Sequence, residues 1–143
     1  MMARADDPKE QFNARLQRRT LSRLRQRAER TNTAQTALAE RYIDEGLRMD
    51  DHPLIYFRDG AAGRRPAIVG TRHDVAQVIE TIRQNGNSID EAAAYLRLPR
   101  SHVEACVGYY ADYQDEIDDW IARKREAAEQ AETSWRRRQE LFG

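Results

Sequence analysis

A mainly α-helical fold is predicted for this chain of 143 residues: a short strand with two helices, a β-hairpin with a three-helix module, and an extended C-terminal helix. Three observations predict it. Apolar residues recur at helical spacing over most of the chain; a strict period-two alternation is confined to Phe12 through Gln17; and one Gly-rich turn, DGAAG, separates two short apolar runs.

Residues 1–11 are polar and offer little apolar surface to offset the entropy of ordering, so a flexible N-terminus is expected there. The segment 12–51 follows. Phe12, Ala14 and Leu16 fall on one face of an extended strand, with Asn13, Arg15 and Gln17 on the other. Leu21, Leu24 and Ala28 then give a helix of about three turns, which the polar TNT break ends. Thr33 is the expected cap of a second helix, whose apolar side is Ala37, Leu38, Tyr42, Ile43 and Leu47, and Asp50, Asp51 and Pro53 stop it.

In the segment 52–113, the runs Leu54 to Phe57 and Pro66 to Val69 flank DGAAG and predict a hairpin with that pentapeptide as its loop. Val75, Val78, Ile79 and Ile82 make an amphipathic helix, with Asn85-Gly86-Asn87 as a left-handed C-cap signal. Ser88 and Glu91 form a capping box for a short helix carrying Ile89, Ala92, Ala93 and Leu96. After the turn RLPR, Ser101, Val103, Val107 and Tyr110 begin a longer helix. Small alanines, a tight turn and a buried valine are what a helix-turn-helix requires.

The segment 114–143 begins with an apolar stripe through Ile117, Trp120 and Ile121, continuing from Tyr113. Beyond Arg123 it has good helix formers and few large apolar residues until Trp135, Leu141 and Phe142. Such a helix is either solvated or folds onto a partner through a few aromatic anchors.

Charge sharpens the division. The 24 basic and 24 acidic side chains cancel, yet seven arginines lie between Phe12 and Arg30 against the single acid Glu29. A concentrated basic segment is what a phosphate backbone attracts, because neutralising phosphates releases condensed counterions; the alternative is a solvated helix face. The lone Cys106 excludes an internal disulfide and fits a reducing compartment. No secretory signal or membrane-length apolar run is present, so a cytoplasmic protein with no membrane association is expected. His52, His73 and His102 lack metal-ligand spacing and no phosphate-cradling Gly loop occurs. No activated nucleophile is evident, so no enzymatic activity, metal or cofactor is expected.

Over roughly residues 11 to 50, the order strand, helix, helix with alternating polar residues on the strand resembles the ribbon-helix-helix (CopG/Arc/MetJ-type) DNA-binding family. The resemblance implies a homodimer, or a higher homo-oligomer, whose paired strands lie in the major groove of operator DNA. Asn13, Arg15 and Gln17 would then read bases, since Arg bonds bidentately to guanine and Asn or Gln to adenine. Arg18 and Arg19 would meet phosphate, and Thr33 with the amides of Ala34 and Gln35 would grip another at the second helix's start. Over residues 52 to 113, RRPAIVGTRHDVAQVI followed by SIDEAAAYLRLPRSHVEACVGYY resembles the antitoxin-like domain-of-unknown-function family 433, implying a helix-turn-helix-like module with a packing role.

A DNA-binding head with a polar, aromatic-anchored tail resembles a type II antitoxin of the VapB kind. That implies autorepression and neutralisation of a PIN-domain ribonuclease toxin, with Trp120, Trp135, Leu141 and Phe142 docking and one of Arg136, Arg137 and Arg138 reaching its acidic site. The alternative is a DNA-binding transcriptional regulator without a toxin partner.

Overall fold

The computed structural model describes residues 7–143; residues 1–6, part of the expected flexible N-terminus, lie outside the described residues. The chain runs through α1 (Arg18–Arg30), α2 (Gln35–Asp51), β1 (Ile55–Gly60), β2 (Gly63–Ile68), α3 (Val75–Gln84), α4 (Ile89–Leu96), α5 (Arg100–Asp112) and α6 (Gln114–Phe142). The architecture is mainly helical, with one antiparallel hairpin in the middle and a long helix at the C-terminal end.

Residues 12–17 form no strand in this single chain, and all six are exposed. A strand needs a neighbour to satisfy its backbone, and a ribbon of the expected type takes that neighbour from a second copy. α1 and α2 form a helical hairpin around Ala28 and the fully buried Leu38. Thr33 is not the cap of α2. The N-cap is Ala34, with no side-chain hydrogen bond, while the Thr33 hydroxyl donates to the Thr31 carbonyl at 3.2 Å.

The hairpin is longer than expected. Its register runs from Ile55 opposite Ile68 to Gly60 opposite Gly63, leaving only Ala61 and Ala62 as the turn instead of the pentapeptide DGAAG. Gly63, at φ 121°, supplies a backbone conformation that side chains resist. The indole of Trp120 also lies 3.7 Å from where a Cβ on Gly63 would stand.

The helices of the module follow their local signals. Asp74 caps α3 by accepting from the Gln77 amide at 2.8 Å. At the other end Gly86 and Asn87 are left-handed, and the Asn87 amide donates to the Ile82 carbonyl at 2.9 Å. Ser88 accepts from the Glu91 amide at 3.1 Å, one arm of the expected capping box. Left-handed Arg97 turns the chain between α4 and α5, closed by Leu98 N–H to Ala93 C=O at 3.0 Å.

These elements enclose one core, in which Ile55, Ile68, Val75, Val78, Val103, Cys106 and Tyr109 are essentially inaccessible. Ile117 and Ile121 of α6 belong to the same core. The boundary drawn after residue 113 therefore runs through a packed unit, because α6 closes the module with its first turns before leaving it. No helix among the described residues is long and apolar enough to cross a membrane.

Candidate nucleic-acid interface and partner-binding tail

α1 is short and strongly amphipathic, and its polar side is built almost entirely of arginine. Arg19, Arg23, Arg27 and Arg30 recur at intervals of four, four and three residues, which places them on one ridge opposite Leu21, Leu24 and Ala28. All seven arginines from Arg15 to Arg30 are exposed. None of them is in an ion pair, and none donates a side-chain hydrogen bond, among the described residues.

This arrangement is unfavourable for the isolated helix. Like charges four residues apart cost about 0.2–0.5 kcal/mol per pair. Arg18 and Arg19 occupy the first turn, which holds no acid, where the helix dipole repels cations. The helix carries a concentrated positive charge that no ion pair among the described residues neutralises.

Asn13, Arg15 and Gln17 stand exposed before α1, and Gln17 is its N-cap residue by backbone conformation. Thr33, Ala34 and Gln35 line a shallow recess with Arg25, Asn32 and Glu29. The first intrahelical bond of α2 is Leu38 N–H to Ala34 C=O at 3.0 Å, and no side chain caps the amides before it. The structure thus brings the uncapped start of α2 beside an arginine of α1.

Several arginines beyond α1 are engaged differently. Arg48 of α2 makes a two-pronged pair with Glu116 of α6 at 2.7 and 3.0 Å, donates to the Tyr109 hydroxyl at 2.9 Å, and sits 3.9 Å over the Tyr113 ring. Burial opposes its charge, but the bonds to Glu116 and Tyr109 outweigh it and raise its pKa above the ordinary arginine value. Arg64 pairs in the same way with the buried Glu45 at 2.8 and 2.7 Å. His52 meets Asp112 at 2.8 Å. Together these contacts fasten α2 to β2, α5 and α6. Sequence reasoning missed this clamp, because neither Arg48 nor Glu45 differs in spacing from a solvated i, i+4 helix charge.

At the start of α5, Arg100 is held by Asp90 of α4 and by Glu104 at 2.6 Å. The cation at the exposed start of α5 is therefore already engaged. Cys106 is buried, and loss of hydration pushes its thiol up to about 12, which keeps it neutral and unreactive. No cluster of three metal-ligating side chains occurs among the described residues.

In the tail, Trp120 is packed against the hairpin tip and the core, whereas Trp135, Leu141 and Phe142 are 59%, 76% and 92% exposed. Arg136 pairs with Glu132 at 2.5 Å, and Arg137 and Arg138 have no partner among the described residues. From residue 122 onward α6 has no buried residue. The expected docking residues thus divide: Trp120 serves the module, and the others extend into solvent.

The hairpin with α3, α4 and α5 forms a small unit around a shared core. Residues 55–110 match the family model described as protein of unknown function (DUF433). No curated protein and no solved structure matches the chain. The arginine ridge of α1 and the exposed part of α6 both lie outside the matched segment.

Proposed function

We propose that the chain is the antitoxin of a type II toxin-antitoxin pair, binding operator DNA as a dimer through residues 12–51 and neutralising a PIN-domain ribonuclease through its C-terminal tail. The observation that carries the reading is the unpaired arginine ridge. Arg19, Arg23, Arg27 and Arg30 share a face without a carboxylate, at some cost to the helix, while Arg48, Arg64, Arg83 and Arg100 are each paired with one. A duplex backbone supplies the missing counter-charge. Asn13, Arg15 and Gln17, exposed ahead of α1, are available to base edges if a second copy pairs with this segment as a ribbon. The exposed aromatic end of α6 favours a protein partner over a plain transcriptional regulator, since Trp and Arg are enriched among interface hot spots.

The test is binding of the intact chain to duplex DNA from the region upstream of its own reading frame, followed by fluorescence anisotropy over a range of salt. Asn13→Ala with Arg15→Ala should remove the preference over scrambled duplex, because each bidentate base pairing discriminates by about 1–3 kcal/mol. Equal affinity for both duplexes in the unsubstituted protein would sink the operator reading. Truncation after Arg125, which leaves Ile117 and Ile121 in place, should leave DNA affinity unchanged and abolish toxin neutralisation. A tail that can be cut with no loss of neutralisation leaves the plain regulator.

A further inference from the structure

Between the hairpin and α6 lies a cavity of about 320 Å³, walled by Arg65 of β2, Asp74 at the start of α3, and Trp120, Arg123 and Lys124 of α6. That volume is at the lower end of the range for small-molecule sites. Arg65 is its unusual member. The side chain is only 25% exposed and its Nε is buried, yet none of its five N–H donors makes a hydrogen bond among the described residues. Asp74 stands 3.3 Å from that Nε without a hydrogen bond, and its Oδ1 is committed to capping α3 through the Gln77 amide at 2.8 Å. Arg48 and Arg64, by contrast, each grip a carboxylate with two nitrogens. Buried donors left open cost free energy, and a bound acceptor removes that cost.

Two neighbours set the state of this guanidinium. Gly60 lies against it, so that a Cβ at that position would stand 2.2 Å from Nη1. Arg58 is its direct partner across the ladder, with its own Nε buried and unbonded and a terminal nitrogen on the Arg72 carbonyl at 2.7 Å. Like charges opposite each other destabilise a sheet. Among the described residues, Asp74 is the one carboxylate in ion-pair range of these two arginines. At the rim, Arg123 and Lys124 make surface pairs with Asp119 at 3.1 Å and Glu80 at 3.5 Å, which are worth little in water and are readily exchanged for a ligand. The Trp120 indole forms a flat apolar wall, with the Arg123 guanidinium 5.4 Å from its ring centre.

We infer that this cavity binds a nucleoside monophosphate, its phosphate on the Arg65 fork beneath Arg123 and Lys124 and its base against Trp120. The guanidinium fork matches phosphate oxygens with two parallel hydrogen bonds. Three lining cations against one lining acid suit a phosphate monoester, which carries about two negative charges at neutral pH. Stacking on an aromatic side chain serves any base. An inorganic anion leaves the indole wall unused, and an uncharged ring leaves the guanidinium open. The site is separate from the arginine ridge of α1 and does not depend on the antitoxin reading. Arg65 and Asp74 fall within the family-matched segment, whereas Trp120, Arg123 and Lys124 fall outside it.

The test titrates adenosine monophosphate into the full chain carrying Trp135→Phe, which leaves Trp120 as its one indole. Saturable quenching of Trp120 with a Kd below about 1 mM is expected, with adenosine and inorganic phosphate each at least about 10-fold weaker. Melting temperature should rise with nucleotide concentration, since the ligand binds the folded chain. Arg65→Lys keeps the charge but loses the fork, and should weaken binding at least about 10-fold. Gly60→Ala removes no charge and meets no left-handed backbone, and should weaken binding as much by pushing the guanidinium aside. Arg123→Ala with Lys124→Ala changes only the exposed rim, so it reads the site even where a hairpin variant melts early; a loss of about 10-fold is expected. No saturation below about 1 mM would overturn the inference. Inorganic phosphate binding as tightly as the nucleotide would do so too, as would unchanged affinity in both Arg65→Lys and the rim variant.

Discussion

In α1, arginines line an exposed ridge with no ion pair among the described residues; beyond it, Arg48, Arg64, Arg83 and Arg100 each reach at least one carboxylate within 3.0 Å. The same side chain thus does two jobs in one chain. Where it is paired across elements, as Arg48 is between α2 and α6, it fixes the position of helices. Where it is unpaired and repeated, it weakens the helix that bears it and stores charge for something outside the chain. Composition hides the distinction, because the neutral total averages a basic head with an acidic tail.

Replacing the ridge residues Arg19, Arg23, Arg27 and Arg30 by Gln is the largest expected break in the comparison. For every phosphate left without its arginine, the slope of log affinity against log salt should shrink by about 0.9. DNA binding near physiological salt should fall by orders of magnitude, and thermal stability should hold or rise as the like-charge repulsion is relieved. A folded variant with the unsubstituted salt slope would assign the ridge to solvent.

The reverse result is expected for Arg48→Ala. It leaves Glu116 in a part-buried site without its two-pronged partner and removes the cation from the Tyr113 face. The cost should be about 3 kcal/mol, the lower end for a broken buried pair, because the two side chains keep 13% and 17% exposure. Denaturant unfolding measures it. A shift under half that size would mean that apolar packing alone holds α2 to the module.

The module's interior gives a pH signature of its own. Burial raises the Cys106 thiol from 9.0 to about 12, and also raises Tyr109 and Tyr113. A group with a raised folded-state pKa contributes stability that is intact below its unfolded value and disappears as pH climbs through the folded one. Melting temperature should therefore fall as pH rises from about 9 towards about 12. A thiol reagent at mildly alkaline pH should label Cys106 only as fast as the module unfolds. Rapid labelling of the native protein would show that the core opens locally.

Much of the module is legible in the sequence because its signals are local. Asp74 is absent from the expected caps, but Ser88 with Glu91, the Asn85-Gly86-Asn87 stop and the helical stripes Val75 to Ile82 and Val103 to Tyr110 all stand where periodicity and capping chemistry place them. Turn composition overestimates the hairpin loop, since Gly60 and Gly63 read as loop residues although they pair across the last rung of the ladder. The clamp of Arg48, Glu116, Glu45 and Arg64 is invisible at that level: its partners lie 68 and 19 residues apart, and no short-range rule links them. The arginine run is plain from composition, but that its members are unpaired emerges only once the acids elsewhere are found to be committed.

The smallest test compares two hydroxyls at helix starts, one in each region. Ser88 accepts the Glu91 amide at 3.1 Å, so Ser88→Ala should cost about 1 kcal/mol. Thr33 makes no such bond; its hydroxyl meets only the neighbouring Thr31, and both are near the surface. Thr33→Ala should shift stability by no more than about 0.5 kcal/mol. If the open amides of α2 grip a phosphate with that hydroxyl, the same substitution weakens DNA binding while the protein melts unchanged. A Thr33 variant that loses stability as Ser88→Ala does would mean that the head is capped in solution, and the start of α2 would then be occupied by its own side chain instead of open to DNA.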